Sequence, residues 1–293
     1  MPRRILVATD FSAAALRAVH RAARLARLHG ATLRLLHVAP PTSRMSLLTR
    51  RAATSDATVL RAARVALETV AHDCEKRFGL AVSVSLLRGS AHGAIARAAA
   101  SDSSDLIVVG ALGEHEAALK HAIGGTAQKL IGAAGTDLLI VRREPRRDHA
   151  LQLLGVDLSG ASTRLIARAL AALPSSQLAL ACCFHLPHAS RALAYGIGPE
   201  SIEAESQRVA AQLRPQLTAL SRQQIPVARR AGTVVLHGDP RELLPQQARL
   251  LHADCLTLST AASRSRSRQP LLTFGEVAPQ IVARAGCDVL LLG

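Results

Sequence analysis

The sequence repeats itself once, and this repeat limits the folds open to the chain more than any other feature. Five landmarks of the first half recur in the second half in the same order, at an offset that grows slowly along the chain. The pairs are Asp10 and Asp157, His37 and His185, Gly89 and Gly238, Asp105 and Asp254, and Asp137 and Asp288. An ordered series of this kind predicts two copies of one domain that differ in the lengths of their loops.

The length of the chain supports the same division. A chain of 293 residues exceeds what one hydrophobic core usually organises, so two domains are expected. The stretch RREPRRDHA, residues 142–150, is charged, contains proline and separates two apolar runs. We therefore predict a first domain over residues 1–143, a linker over 144–150 and a second domain over 151–293.

Short apolar runs alternate in both copies with longer segments in which apolar residues recur at helical spacing. In the first copy the predicted strands are Ile5–Ala8, Thr32–Val38, Ala81–Leu87, Leu106–Val109 and Leu138–Val141. The predicted helices are Ala13–Leu28, Val59–Phe78, Ala91–Ala100 and Thr126–Ala134. Such alternation is typical of a mostly parallel sheet with helices on both faces. The predicted fold class is α/β, with two tandem doubly wound domains that each contain a five-stranded sheet.

Composition excludes several classes of protein. The net charge of +15 is carried almost wholly by arginines spread along alanine-rich segments, and aromatic residues make up only 2%, so nucleic-acid binding is not favoured. The five cysteines include no CxxC pair and predict buried reduced thiols. No apolar run approaches the ~20 residues of a membrane span, and Asp10 interrupts the apolar stretch near the N-terminus. We expect no membrane association and a cytoplasmic protein.

Ligands of an open parallel sheet bind beyond the carboxyl ends of the strands, where the winding reverses. Ala8, Thr9 and Asp10 end the first predicted strand, and Asp10 is a ligand for a base or ribose or else the N-cap of the next helix. The fourth strand is followed by Gly110-Ala-Leu-Gly113 and later by Gly124-Gly125-Thr126 at a helix start. Glycines let backbone amides approach a polyphosphate closely, and Lys129 lies one turn further on.

These segments together resemble the universal stress protein family. The resemblance rests on ILVATDFS, LLHVAPP, DLIVVG followed by a GT helix start, and DLLIVRR, and it covers both halves. It implies a Rossmann-like, adenine-nucleotide alpha-hydrolase-like fold and the binding of ATP or a related adenine nucleotide, with Mg²⁺ accompanying it, through the first domain. The nucleotide-binding residues that it implies are Ala8, Thr9, Asp10, Val38, Val109, Gly110, Gly113, Gly124, Gly125, Thr126 and Ala127.

The spacing of the glycines departs from the family's pattern. Nucleotide-binding members have G-x-x-G, nine residues, and then glycine followed by serine or threonine, whereas eleven residues separate Gly113 from Gly125 here. The second copy departs further, because Ser259 stands in place of Gly110, the loop reads STAASRSRSRQP, and Gly275-Glu276 replaces Gly125-Thr126. The second domain is therefore predicted to have a degenerate site.

The sequence predicts a stress-response protein that binds a nucleotide rather than turning it over. No nucleophile or general base is identified, and slow ATP hydrolysis is left open. One alternative is an interaction or regulatory module with an empty site; another is an adenylating or electron-transfer enzyme. The apolar strands Leu138–Val141 and Val289–Leu292 are candidate edges for pairing of the two domains within the chain, and homodimerisation is left open.

Overall fold

Each apolar run that was predicted as a strand of the first copy is a strand in the computed structural model. The structure describes residues 1–40, 56–112, 123–131, 135–186, 198–260 and 277–293. Contacts divide the chain into two units, Met1–Asp148 together with Gly293, and His149–Leu292.

The first unit contains a five-stranded parallel sheet with helices between successive strands. Its strands are β1 (Arg4–Thr9), β2 (Thr32–Ala39), β3 (Val82–Arg88), β4 (Leu106–Gly110) and β5 (Asp137–Val141). Its described helices are α1 (Ala13–His29), α2 (Asp56–Phe78), α3 (Ala91–Ser101) and α4 (Gly125–Leu130). The strand order is β3-β2-β1-β4-β5, and every neighbouring pair is parallel. The winding therefore reverses between β1 and β4.

The second unit has the same arrangement. Its strands are β6 (Leu151–Val156), β7 (Gln177–Phe184), β8 (Arg230–His237), β9 (Cys255–Ser259) and β10 (Asp288–Leu292). Its described helices are α5 (Ser162–Ala172), α6 (Pro199–Gln224), α7 (Pro240–Leu250) and α8 (Ala278–Arg284), with a short 3-10 helix at Val227–Arg229. The strand order is β10-β9-β6-β7-β8, again parallel throughout.

The predicted fold class, two tandem doubly wound α/β domains, is confirmed. Bounds differ at a few ends: α2 begins at Asp56 instead of Val59, and β3 begins at Val82 instead of Ala81. The last helix of the first unit, predicted over Thr126–Ala134, is α4 and ends at Leu130; residues 132–134 lie outside the described part of the chain. All five cysteines are buried thiols outside any disulfide, as the sequence predicts.

Helix α1 illustrates why these elements form. The Oγ of Ser12 accepts a hydrogen bond from the Ala15 N–H at 3.2 Å and so caps the first turn, while Gly30 ends the helix in the left-handed region with φ 61°. Its buried face consists largely of alanines, including Ala18 and Ala22, which are fully buried. Small side chains let the helix lie close to the sheet.

An aspartate joins the start of the first strand to the start of the fourth in each unit. In the first unit, one carboxylate oxygen of Asp105 accepts hydrogen bonds from the N–H groups of Arg3 at 2.7 Å and Arg4 at 2.9 Å. In the second unit, Asp254 accepts from the N–H groups of Ala150 at 2.8 Å and Leu151 at 3.1 Å. This role explains why an aspartate recurs at these positions of the repeat.

The prediction that His37 and His185 occupy corresponding positions of the repeat is wrong. His37 pairs with Thr9 across β1 and β2, and the corresponding position of the second sheet is Cys182, which pairs with Val156. His185 comes after the end of β7. The two histidines stand in similar apolar contexts, but the strand register separates them by three positions.

Among the described residues, no helix is both long enough and apolar enough to cross a membrane.

Replacing Asp105 by alanine is expected to loosen the join between β1 and β4. Two hydrogen bonds to a charged acceptor are lost, at a cost of about 1–3 kcal/mol in the stability of the first unit. Chemical denaturation, with hydrogen exchange at the Arg3 and Arg4 amides, measures the effect. Asp105→Asn, whose side-chain oxygen still accepts hydrogen bonds, should lose clearly less stability. Equal losses of stability in the two variants would contradict this role of Asp105.

Candidate functional site

A cavity of about 810 Å³ lies at the carboxyl ends of the strands of the first unit. Four segments form most of its wall: the ends of β1, β2 and β4 and the start of α4. The lining residues include Ala8, Thr9, Asp10, Val38, Val109, Gly110, Gly124, Gly125, Thr126 and Ala127. These are ten of the eleven residues that the sequence implicated, and the eleventh, Gly113, lies outside the described residues. A parallel sheet produces this convergence, because all its strands end at one edge.

The turn after β1 places Asp10 at the cavity. The carboxylate of Asp10 accepts a hydrogen bond from the Ser12 N–H at 3.0 Å, and Phe11 between them has φ 65°. The alternative that Asp10 is itself the N-cap of α1 is wrong, since Ser12 occupies that position. Asp10 is exposed and holds the turn that leads into the helix.

The second unit repeats this turn. The carboxylate of Asp157 accepts from the Ser159 N–H at 3.0 Å and from the Ser162 hydroxyl at 3.2 Å, and Leu158 has φ 54°. A short polar side chain that bonds to the backbone two residues on stabilises such a turn. The aspartate therefore has a structural function in both copies.

His37 fixes the same turn from the side of β2. Its Nδ1 donates to the carbonyl oxygen of Thr9 at 2.8 Å, because a carbonyl can only accept. Its ring lies against that of Phe11, with centroids 4.5 Å apart. The Thr9 hydroxyl accepts from the Phe11 N–H at 3.0 Å. Backbone and ring contacts together hold the turn after β1, from which Thr9 and Asp10 line the cavity.

Gly110 is required by the packing of α1 on the end of β4. A Cβ at this position would lie 2.9 Å from the carbonyl carbon and oxygen of Ala14 and 3.1 Å from the Ala15 nitrogen. Backbone atoms cannot yield as the end of a side chain can, so a larger residue would displace the helix or the strand. The sequence suggested a glycine here for access to phosphate, and the structure adds this steric reason.

The segment from Gly124 to Lys129 forms the opposite wall. Helix α4 begins at Gly125. Its N-cap residue is Gly124, which has no side chain that could cap the helix. A Cβ at Gly125 would meet nothing within 4 Å. Thr126 also lines the cavity, and exposed Lys129 brings a cation to it. Backbone N–H groups, a hydroxyl and an ammonium group suit an anionic ligand.

The turn between β3 and α3 also lines the cavity, although the sequence analysis did not assign it to the site. Gly89 has φ 132° and donates its N–H to the Ala39 carbonyl at 3.0 Å, which places Ser90 and His92 in the wall. The Ser90 hydroxyl and the Nδ1 of His92 are 2.9 Å apart. The signal was the recurrence of the glycine itself, since Gly238 has φ 130° in the same turn of the second unit.

The second unit carries an ion pair where the first has Ser90 and His92. Asp239 caps α7 by accepting from the Arg241 N–H at 2.9 Å, and its carboxylate lies 2.6 Å from the Arg241 guanidinium. The hydrogen bond from the Arg241 side chain holds the pKa of Asp239 below its ordinary value. In this turn of the second unit, the Asp239 carboxylate and the Arg241 guanidinium are therefore partners of each other.

No cluster of three or more histidine, cysteine, aspartate or glutamate side chains that could hold a metal ion occurs in the described part of the chain. Asp10 is the one carboxylate among the described residues that line the cavity. Magnesium is often held by one or two carboxylates together with substrate phosphates. The donor set fits a metal that enters with a phosphorylated ligand.

The sequence model of the universal stress protein family matches residues 1–142 and 153–293. Solved structures of similar fold span nearly the whole chain. One is a universal stress protein from Archaeoglobus fulgidus DSM 4304, with TM-score 0.66 and 14% identity, covering 99% of this chain and 98% of its own. Another is a candidate universal stress protein from Pseudomonas aeruginosa UCBPP-PA14, with TM-score 0.65 and 18% identity, covering 99% and 93%. No curated protein sequence matches the chain significantly.

Alanine at Gly110 should destabilise the first unit, whereas alanine at Gly125 should not. Gly110→Ala drives a Cβ into the backbone of α1 and is expected to cost about 1–3 kcal/mol. Gly125→Ala adds a methyl group in open space within a helix and should be neutral or stabilising by up to about 1 kcal/mol. Chemical denaturation followed by circular dichroism compares the two. A loss at Gly125 as large as that at Gly110 would refute the steric argument.

Proposed function

The chain belongs to the universal stress protein family, and from that premise we propose that the cavity of its first unit binds ATP or a related adenine nucleotide. The observation that supports the proposal most is the convergence of separate segments. Ten residues that the resemblance assigned to a nucleotide site, drawn from four distant parts of the chain, line one cavity of about 810 Å³. This volume lies in the range of small-molecule and cofactor sites.

The phosphates lie against the segment from Gly124 to Lys129. Phosphate oxygens accept hydrogen bonds strongly, and this wall offers the Gly125 and Thr126 backbone, the Thr126 hydroxyl and the Lys129 ammonium group. The open space at Gly125 lets a phosphate approach the backbone. Asp10 is the described carboxylate of the wall that would hold Mg²⁺ together with the phosphates, and the metal would supply neutralisation of their charge.

The base lies against the ends of β1 and β2. The wall there is largely apolar, with Ala8, Val38 and Pro40, and an aromatic base gains from leaving water on such a surface. The backbone groups near Val38 and the carboxylate of Asp10 are available to the polar edge of the base or to the ribose.

The function is binding rather than turnover. Asp10 accepts a backbone hydrogen bond from Ser12 and is exposed, so it is a poor candidate for a general base. The described wall does hold a hydroxyl next to a possible base, since the Ser90 hydroxyl is 2.9 Å from the Nδ1 of His92. This turn lies against the end of β2, whereas the phosphates are proposed to lie against the segment from Gly124 to Lys129.

The second unit is proposed to have no comparable site. Ser259 stands at the end of β9 in place of Gly110, and Asp239 places a carboxylate where the first unit has Ser90. Asp239 is paired with the Arg241 guanidinium, so the polar groups of this turn are engaged with each other rather than with a ligand. The role of the second unit is then that of a partner domain or a regulatory surface.

The first test is calorimetric titration of the purified protein with ATP and Mg²⁺. Wild-type protein should bind with micromolar affinity, and Gly125→Glu should abolish binding, because its carboxylate enters the phosphate region. Gly125→Ala, which replaces the glycine without adding a charge, is the control for the loss of the glycine itself. Gly160→Glu, at an open glycine of the second unit, is the control for the added charge. Absence of binding by the wild-type protein would support an empty interaction module instead.

Replacing Lys129 by glutamine should weaken binding in proportion to the number of phosphates. The lost ammonium group interacts only with the charged end of the ligand. The affinity for ATP should therefore fall about three- to tenfold, the affinity for ADP should fall less, and the affinity for adenosine should not change. Dissociation constants for the three ligands, measured at one ionic strength, check this pattern. An equal loss for adenosine would mean that Lys129 does not face the phosphates.

A further inference from the structure

We infer that His92 is a ligand-contacting residue of the same cavity, that its Nε2 hydrogen-bonds the nucleoside end of the nucleotide, and that Ser90 is the positioning residue that orients its ring. The inference rests on the proposed function and adds a specificity-determining side chain to it. Three observations carry it: the position of the turn after β3, the geometry of the two side chains, and their replacement in the second unit.

The position of His92 associates it with the apolar end of the cavity. Gly89 donates to the carbonyl of Ala39, so the turn that carries His92 lies against the end of β2, beside Val38. The strand order is β3-β2-β1-β4, and neighbouring strands are about 4.8 Å apart, so the ends of β3 and β4 are about 14 Å apart. A ligand whose phosphates lie near the segment after β4 presents its base and ribose toward β2 and β3.

The ring of His92 is held by a hydrogen bond at one of its two nitrogens. Its Nδ1 is 2.9 Å from the Ser90 hydroxyl, and its Nε2 has no hydrogen-bond partner among the described residues. Ser90 is the N-cap residue of α3, yet its side chain makes no capping hydrogen bond. Serine at an N-cap usually accepts from the helix backbone. Here the hydroxyl is directed to the imidazole, which fixes the ring in the cavity wall.

The second unit shows what the same turn does when its polar groups satisfy each other. Asp239 and Arg241 stand at the positions of Ser90 and His92, and Asp239 both caps α7 and pairs with the Arg241 guanidinium. In the first unit the described hydrogen bond of His92 is made by Nδ1, which leaves Nε2 for a ligand in the cavity that the residue lines. A ring nitrogen can donate to or accept from the base edge or a ribose hydroxyl.

Dissociation constants for adenosine, AMP and ATP separate contact with the nucleoside from contact with the phosphates. His92→Ala should weaken all three by the same factor, about three- to tenfold, because the lost hydrogen bond is to the part that they share. His92→Gln, which carries an amide nitrogen near the position of Nε2, should recover most of the affinity. His92→Asn, which reaches only as far as Nδ1, should behave like His92→Ala.

Further variants test the positioning role and supply the control. Ser90→Ala should weaken the three ligands by a smaller common factor without lowering the melting temperature, since no cap bond is lost, and Ser90→Thr should restore the affinity. Arg241→Ala, at the matching position of the second unit, should leave all three constants unchanged. Circular dichroism confirms that each variant is folded.

Each other outcome overturns a defined statement. If wild-type protein binds ATP and His92→Ala binds all three ligands equally well, the inference fails and the proposed function stands. If the loss grows with the number of phosphates, His92 faces the phosphates and the assignment to the nucleoside end is wrong. If wild-type protein binds none of the three, the proposed function fails and the inference fails with it.

Discussion

Parallel pairing of β1 with β4 is the interaction on which the rest of the first unit depends. It joins segments about a hundred residues apart, with Leu6 beside Ile107, and it brings the turn at Asp10 next to the end of β4. Asp105 fixes one end of this pair by binding the first amides of β1. Gly110 fixes the other end, because only a residue without a side chain lets the first turn of α1 rest on β4. The cavity lies at the Gly110 end of this pair, at the carboxyl ends of the strands.

The fold could be predicted from the sequence because its elements are local and strongly patterned. The strands of a parallel sheet covered on both faces are short apolar runs, and Ser12 and Gly30 mark the ends of α1 by their own chemistry. The residues at the strand ends could also be predicted, since parallel topology brings strand ends together without further information. The pairing of His37 with His185 failed because residue type was matched without the register, which only long-range pairing determines.

The wall formed by Ser90 and His92 could not be predicted for a related reason. Its place in the cavity depends on the hydrogen bond from Gly89 to Ala39, which joins residues fifty positions apart. The steric role of Gly110 was equally hidden, because glycine next to a strand end also suits a phosphate loop. Helix α4 ends earlier than its apolar pattern suggested. Tertiary contacts, rather than local propensity, decide the position of the Ser90 turn and the need for glycine at position 110.

The aspartate turn after the first strand bears on how such chains are classified. Asp10 and Asp157 hold nearly the same turn, with a residue of positive φ followed by a serine. One of these units has the glycines of the proposed nucleotide site, and the other has Ser259 in place of Gly110. A carboxylate retained for the turn would persist in a copy that no longer selects any ligand. Its presence in a newly sequenced relative is therefore a marker of the fold and has little diagnostic value for nucleotide binding.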